Sequence, residues 1–154
     1  MRIRAGIVLI TENKVALIER YRAGLHYFTF PGGGVDEGES PEQAAVREAL
    51  EELGISVAIK QKVAEVQFGQ NSRQIYFLVE QVGGEFGTGK GEEFINSAPD
   101  DPESGVYIPI WMSVDELPRH TNVKPADVAK LVVKSVKEGW TQEPILVFEE
   151  PKQA

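Results

Sequence analysis

The chain has no cysteine, which removes disulfides, thiolate zinc sites and cysteine nucleophiles from consideration together. Histidine is nearly as scarce, with two in 154 residues; His26 and His120 fall in no ligand or catalytic pattern and read as incidental. Positive charge is also short, because 16 Lys and Arg against 24 Asp and Glu leave a net charge of −8. Binding to a nucleic-acid backbone needs a positive footprint, so nucleic acid is not expected as a partner. A small anionic ligand stays open if cations screen it. No apolar run approaches the roughly 18 residues that cross a bilayer, and Ala5 to Ile10 is too brief for a signal-peptide core. These absences lead us to expect a cytoplasmic protein with no membrane partner. The length suits a single domain over residues 1–150, with 151–154 as a frayed tail and a homodimer left open.

What is present is a regular alternation of strand and helix signals. Ile3, Ala5, Ile7 and Leu9 alternate in a first strand over 2–10, and Val15 and Leu17 anchor a second over 14–20 after a turn at Glu12-Asn13. His26 to Phe30 is a short aromatic strand, ended by Pro31 and a loop of three glycines, Gly32 to Gly34. Ser40-Pro41-Glu42-Gln43 combines an N-cap, a first-turn proline and a capping box, and Gly54 supplies the stop. Val57 to Phe68 and Gln74 to Val82 read as a strand pair. Residues 83–105 are a long irregular excursion, followed by a strand over Val106 to Met112, a helical turn over Val114 to Leu117, and a helix over Val123 to Glu138. Ile145 to Phe148 is a last strand. This order predicts an α+β or α/β sandwich with helices packed on a mixed sheet.

On a helical wheel at about 100° per residue, Glu48, Glu51 and Glu52 share one edge of the first helix. Val46, Leu50 and Leu53 fall opposite and are expected to form its buried face. Like charges at these spacings cost roughly 0.2–0.5 kcal/mol per pair. Arg47 can pair with Glu51 and orient a neighbouring carboxylate, but one guanidinium cannot neutralise three glutamates. A divalent cation can. Oxygen-only donors favour hard ions, hence Mg²⁺ with Mn²⁺ as a substitute. The wheel alone would equally describe a solvated glutamate-rich surface helix.

The surrounding residues decide between these. Gly33, Glu39, Arg47, Glu48, Ala49, Glu51, Glu52, Gly54 and Ile55 stand at every spacing of the signature G-x5-E-x7-R-E-U-x-E-E-x-G-U, where U is aliphatic. The segment therefore resembles the box of the Nudix hydrolases, a match whose chance occurrence is on the order of 10⁻⁷ from average residue usage. Ala49 is smaller than the aliphatic usually found there. Trp111 and Asp115-Glu116-Leu117-Pro118 resemble the family's later segment, so the likeness runs along the chain.

The resemblance implies an α/β/α sandwich and hydrolysis of a nucleoside diphosphate linked to another moiety, such as a modified nucleoside triphosphate or a nucleotide sugar. It assigns divalent metal to Glu48, Glu51 and Glu52, with the Gly32 carbonyl as a further ligand. The water's proton would pass to Glu52 or Glu48, with Arg47 orienting them. Some family members use a later loop glutamate, which makes Glu92 and Glu93 candidates for metal or base. Glu39 is expected to brace the loop. For substrate, Arg20 and Arg22 could meet phosphate and Tyr27 could stack on a base. Subfamily markers downstream of the box are not met, so no particular substrate follows. The competing reading is a Nudix-fold module that binds a nucleotide without turnover, as a sensor or regulator; such modules usually lose box glutamates, and this chain keeps them.

Overall fold

The computed structural model describes residues 2–89 and 105–149. The alternation RIRAGIVLIT becomes strand β1 (Arg2–Thr11). Glu12 and Asn13 then take φ of 52° and 62°, the left-handed pair that a two-residue hairpin requires, and deliver the chain into β2 (Lys14–Arg22). The two strands stay together only at Ile10 with Val15 and Thr11 with Lys14. Beyond that point they part. The first half of β1 pairs with β4 (Gly32–Gly34) on one side, and from Arg2 to Leu9 the strand runs parallel to β6 (Ser72–Gly84) on the other. The second half of β2 takes β3 (Leu25–Thr29) as neighbour, and its other edge pairs with β7 (Val106–Ser113). β5 (Ile55–Phe68) runs antiparallel to β6, β9 (Ile145–Glu149) parallel to β5, and the two-residue β8 (Val123–Lys124) parallel to β3. Among the described residues this makes one mixed sheet of nine strands, splayed into a V between β1 and β2.

Among the described residues two α-helices cover opposite faces. Ala5, Ile7 and Leu9 of β1 join Ala45, Ala49 and Leu53 of α1 (Pro41–Leu53) in one core. Val8, pointing the other way, joins Val128, Ala129 and Val132 of α2 (Ala126–Glu138) in the second. The expected helix-on-mixed-sheet sandwich is therefore present. The start of α1 follows its sequence signal: Gln43 N–H donates to Ser40 Oγ at 3.1 Å, and Ser40 N–H to Gln43 Oε1 at 2.8 Å. Gly54 closes the helix at φ 76°.

Three features differ from the sequence reading. Gly32 to Gly34 is a strand, not a loop, and Gly32 lies so close to β1 that a Cβ would stand 2.3 Å from the Ala5 carbonyl oxygen. The late helix begins at Ala126 because Val123 and Lys124 pair with β3, and Pro125, lacking an N–H, sits at the cap. Most consequentially, of the apolar face expected to be buried in α1 only Leu53 is buried. Val46 and Leu50 are 37% and 55% exposed, whereas the buried arc runs through Ala44, Ala45, Glu48, Ala49 and Glu52 to Leu53. The alanines permit an approach that larger side chains would block, and the two glutamates come in with them. No helix among the described residues is long and apolar enough to cross a membrane.

Candidate functional site

The splaying of β1 from β2 opens a cleft of about 820 Å³. At its floor, Glu48 and Glu52 project from α1 toward β4, only 5% and 4% exposed. The Gly32 N–H donates to Glu52 Oε2 at 3.1 Å. The Glu48 carboxylate lies on Gly33, where a Cβ would fall 2.3 Å from Oε1. Glycine at 33 thus leaves room for a carboxylate, and glycine at 32 brings an amide to one.

Arg47 holds this arrangement from outside the cleft. Its Nε and Nη2 donate to Glu39 at 2.8 and 3.0 Å, Nη1 to Glu48 Oε1 at 2.9 Å and Glu51 Oε2 at 3.2 Å, and Nη2 also to the Gly34 carbonyl at 2.9 Å. A planar fork of five donors suits such a hub. Hydrogen bonding from Arg47, then from the Asp36 amide, holds the Glu39 carboxyl below its usual value, and the same glutamate chiefly raises the already high pKa of Arg47. Glu39 thus braces the segment before α1, as expected.

The cleft brings together six of the residues singled out in the sequence: Arg20, Arg22, Tyr27, Gly32, Glu48 and Glu52 all line it. Arg47 and Glu51 do not; Glu51 is turned to Arg47. Glu92 and Glu93 lie outside the described residues. Arg20 is 7% exposed and stands between Tyr27 and Tyr107, its partners in strand register. Its guanidinium lies 3.5 Å from the Tyr107 ring centroid and 5.9 Å from that of Tyr27, and its Nε donates to the Val106 carbonyl at 3.2 Å. Phe28 is core. Tyr21 stacks on His26 at 4.3 Å, and His26 Nε2 is 2.7 Å from Glu19 Oε2, so this histidine has partners that its sequence surroundings did not suggest.

Sequence reasoning missed Arg2, Arg4, Tyr107 and Lys124, which also line the cleft. A signal existed for the first two: R-I-R at the start of β1 has the same period-two spacing as R-Y-R at the end of β2.

Among the described residues no three acidic or histidine side chains form a ready metal-holding group. The donor set nonetheless fits a hard divalent ion. Two buried carboxylates one helical turn apart share a cleft floor with glycine backbone, and oxygen is the only donor type they offer.

Comparison with known proteins agrees with this architecture. The model of the NUDIX domain family matches residues 1–131. An RNA pyrophosphohydrolase of Tolumonas auensis is 50% identical over 54 residues, covering 35% of this chain and 30% of that protein. The chain thus spans less than a third of that curated relative's length. A NUDIX hydrolase from Nitrosomonas europaea superposes with a TM-score of 0.73 at 20% identity, over 97% of this chain and 78% of the other. An ADP-ribose pyrophosphatase from Streptococcus suis does so with a TM-score of 0.65 at 20% identity, over 96% and 98%. At that identity the structural likeness speaks for the fold. With the family model spanning most of its length, and Gly33, Glu48 and Glu52 of the box lining the cleft, the chain belongs to the NUDIX domain family.

Proposed function

We propose that the protein is a Mg²⁺-dependent pyrophosphohydrolase that cleaves the phosphoanhydride of a nucleoside diphosphate derivative bound in the cleft between β1 and β2. The observation that carries this reading is the pair of buried carboxylates, Glu48 and Glu52, held against glycine backbone at the floor of a cleft whose walls carry arginine. Burying like charges together is expensive unless a cation or a reaction uses them.

Glu48, Glu52 and the Gly32 carbonyl would hold the ion, with Glu51 as a further carboxylate at the edge. Once bound, the ion would offset charge on nonbridging phosphate oxygens and make water more acidic. The chain's own part is orientation. Arg47 fixes Glu48, and the Gly32 amide fixes Glu52. Water attacks one phosphorus, the bond from that phosphorus to the bridging oxygen breaks, and the leaving phosphate departs with that oxygen. Glu48 is tied to the fixed cation of Arg47 while Glu52 is held by a neutral amide, so we assign acceptance of the water's proton to Glu52. Arg20 and Arg22 would meet phosphate and Tyr27 the base, and Glu92 and Glu93 are kept as candidate ligands or bases.

The test is a phosphate-release screen over nucleoside triphosphates, nucleotide sugars and dinucleoside polyphosphates with Mg²⁺, comparing wild type with Glu52→Gln. Turnover that falls at least a hundredfold in Glu52→Gln supports the assignment. Absence of turnover on every class, or equal rates in the two proteins, overturns it.

A further inference from the structure

The walls of the cleft carry more positive charge than the scissile anhydride needs. Arg2 and Arg4 alternate along β1, Arg20 and Arg22 along β2, and Lys124 comes from β8; all five line the cleft. Because the period of a strand is two, each pair presents its guanidinium groups on one side, and the parting of β1 from β2 sets the two pairs on opposite walls. The ion pairs of the described residues sharpen the point. Arg47 and Arg73, both outside the cleft, bind glutamate at 2.8 Å. Among the described residues Arg2, Arg4 and Arg22 make no salt bridge within 4.0 Å, and Arg20 bonds a carbonyl and stacks on tyrosine. In a chain of net charge −8, where carboxylates outnumber cations, gathering arginines that have no carboxylate partner among the described residues in one concave surface is a strong local bias.

Once a divalent ion offsets Glu48 and Glu52, Glu149 is the one acidic residue among the described residues of the cleft lining that opposes its five cations. A diphosphate joined to a neutral sugar would use few of them. Resting on the hydrolase reading above, we infer that Arg2 and Arg4 select substrates carrying a chain of three or more phosphates, with Arg4 contacting a phosphate beyond the cleaved anhydride. Arg4 is the half-buried member and sits nearer the carboxylate floor; Arg2, one step out and exposed, extends the contact. The group recognised is a 5′-terminal triphosphate, which either a free nucleotide or an RNA end can supply.

The experiment compares kcat/KM of the full chain for GTP, a 5′-triphosphorylated oligonucleotide and UDP-glucose, in wild type, Arg4→Ala, Arg4→Lys, and Arg2→Ala with Arg4→Ala. Arg119→Ala, on the exposed 3-10 turn, serves as control. Binding of a nonhydrolysable imidotriphosphate nucleotide is measured by calorimetry beside it. One charge-assisted contact corresponds to about a tenfold effect. The preference for a triphosphate over UDP-glucose should therefore drop about tenfold in Arg4→Ala and further in the double variant, mostly through KM, with partial rescue in Arg4→Lys and no change in Arg119→Ala. Whichever triphosphate shows the larger drop identifies the source. If nothing is turned over but the analogue binds and loses tenfold affinity in Arg4→Ala, the phosphate site stands and the catalytic reading falls. Turnover with an unchanged substrate ratio in Arg4→Ala overturns this inference and leaves the catalytic reading intact. Unchanged analogue affinity in Arg4→Ala, with thermal melting confirming the fold, overturns it as well.

Discussion

The carboxylate of Glu48 rests on the backbone of Gly33, so closely that a Cβ at residue 33 would stand 2.3 Å from Glu48 Oε1 and 2.4 Å from its Cδ. The obstructing atoms are the tip of a flexible side chain. Gly33→Ala should therefore leave the fold nearly intact and move the carboxylate. Gly32→Ala should do the reverse, since its Cβ would meet the Ala5 carbonyl oxygen at 2.3 Å and the Gly6 Cα at 2.7 Å, backbone that cannot step aside. We expect Gly33→Ala to lose at least tenfold in kcat with a melting temperature within a few degrees of wild type. Gly32→Ala should lose about 1–3 kcal/mol of stability. Denaturant titration and steady-state kinetics on both variants check this, and a stable, fully active Gly33→Ala would contradict the placement of Glu48.

Under the proposed function, Arg47 would act through the glutamates it holds, since it does not line the cleft. Arg47→Lys keeps one positive charge but cannot reach Glu39, Glu48 and the Gly34 carbonyl together, as the guanidinium does. A positioning role predicts that Arg47→Lys lowers kcat by tenfold or more with little change in KM, and that it also costs about 1–3 kcal/mol of stability. Arg47→Ala should be worse on both counts because it strands Glu48, which is almost fully buried. If kcat is unchanged in Arg47→Lys, the arginine is a structural brace only.

The comparison of sequence and structure turns on which signals are local. The cap at Ser40, the stop at Gly54 and the hairpin at Glu12-Asn13 are set by residues within a few positions of one another, and each was legible. The box residues were legible too, because their spacing is fixed by one helix and the strand before it. The burial of α1 was not. A wheel separates apolar from polar residues and assigns the apolar side to the core, but here alanines and glutamates face inward. The reason lies in β4, a partner brought in by tertiary packing. Of the cationic walls, Arg20 and Arg22 were legible as phosphate contacts, but Arg2 and Arg4 were not, since they reach the same cleft only because β1 and β2 part after two residue pairs, and net charge averages such a patch away.

The orientation of α1 is open to direct test. Leu50 is 55% exposed and Leu53 fully buried, although both belong to the apolar side of the wheel. Leu50→Ala should cost less than about 1 kcal/mol, whereas Leu53→Ala should cost about 2–5 kcal/mol through lost burial and the cavity it leaves. Chemical denaturation of the two variants distinguishes them. Equal losses would mean that the helix is rotated relative to the arrangement described.

Away from the cleft, Glu65 on β5 accepts from Arg73 at 2.8 and 3.1 Å and from Lys62 at 2.8 Å. These bonds, those from Arg73 foremost and then that from Lys62, bring its pKa from 4.5 to about 2. A folded-state pKa below the unfolded one means that the unfolded chain binds the proton more readily, so acid favours unfolding. The contribution of Glu65 is thus complete above about pH 4.5, declines as the pH falls toward 2, and is lost below that. Glu65→Gln should be less stable than wild type at pH 7 by roughly 1–3 kcal/mol, and the gap should narrow steadily between those two values. The pH dependence separates this from a packing effect, because a shape change at residue 65 would cost the same at either pH. A gap that stays constant from pH 7 to pH 3 would show that the glutamate is not held ionised by Arg73 and Lys62.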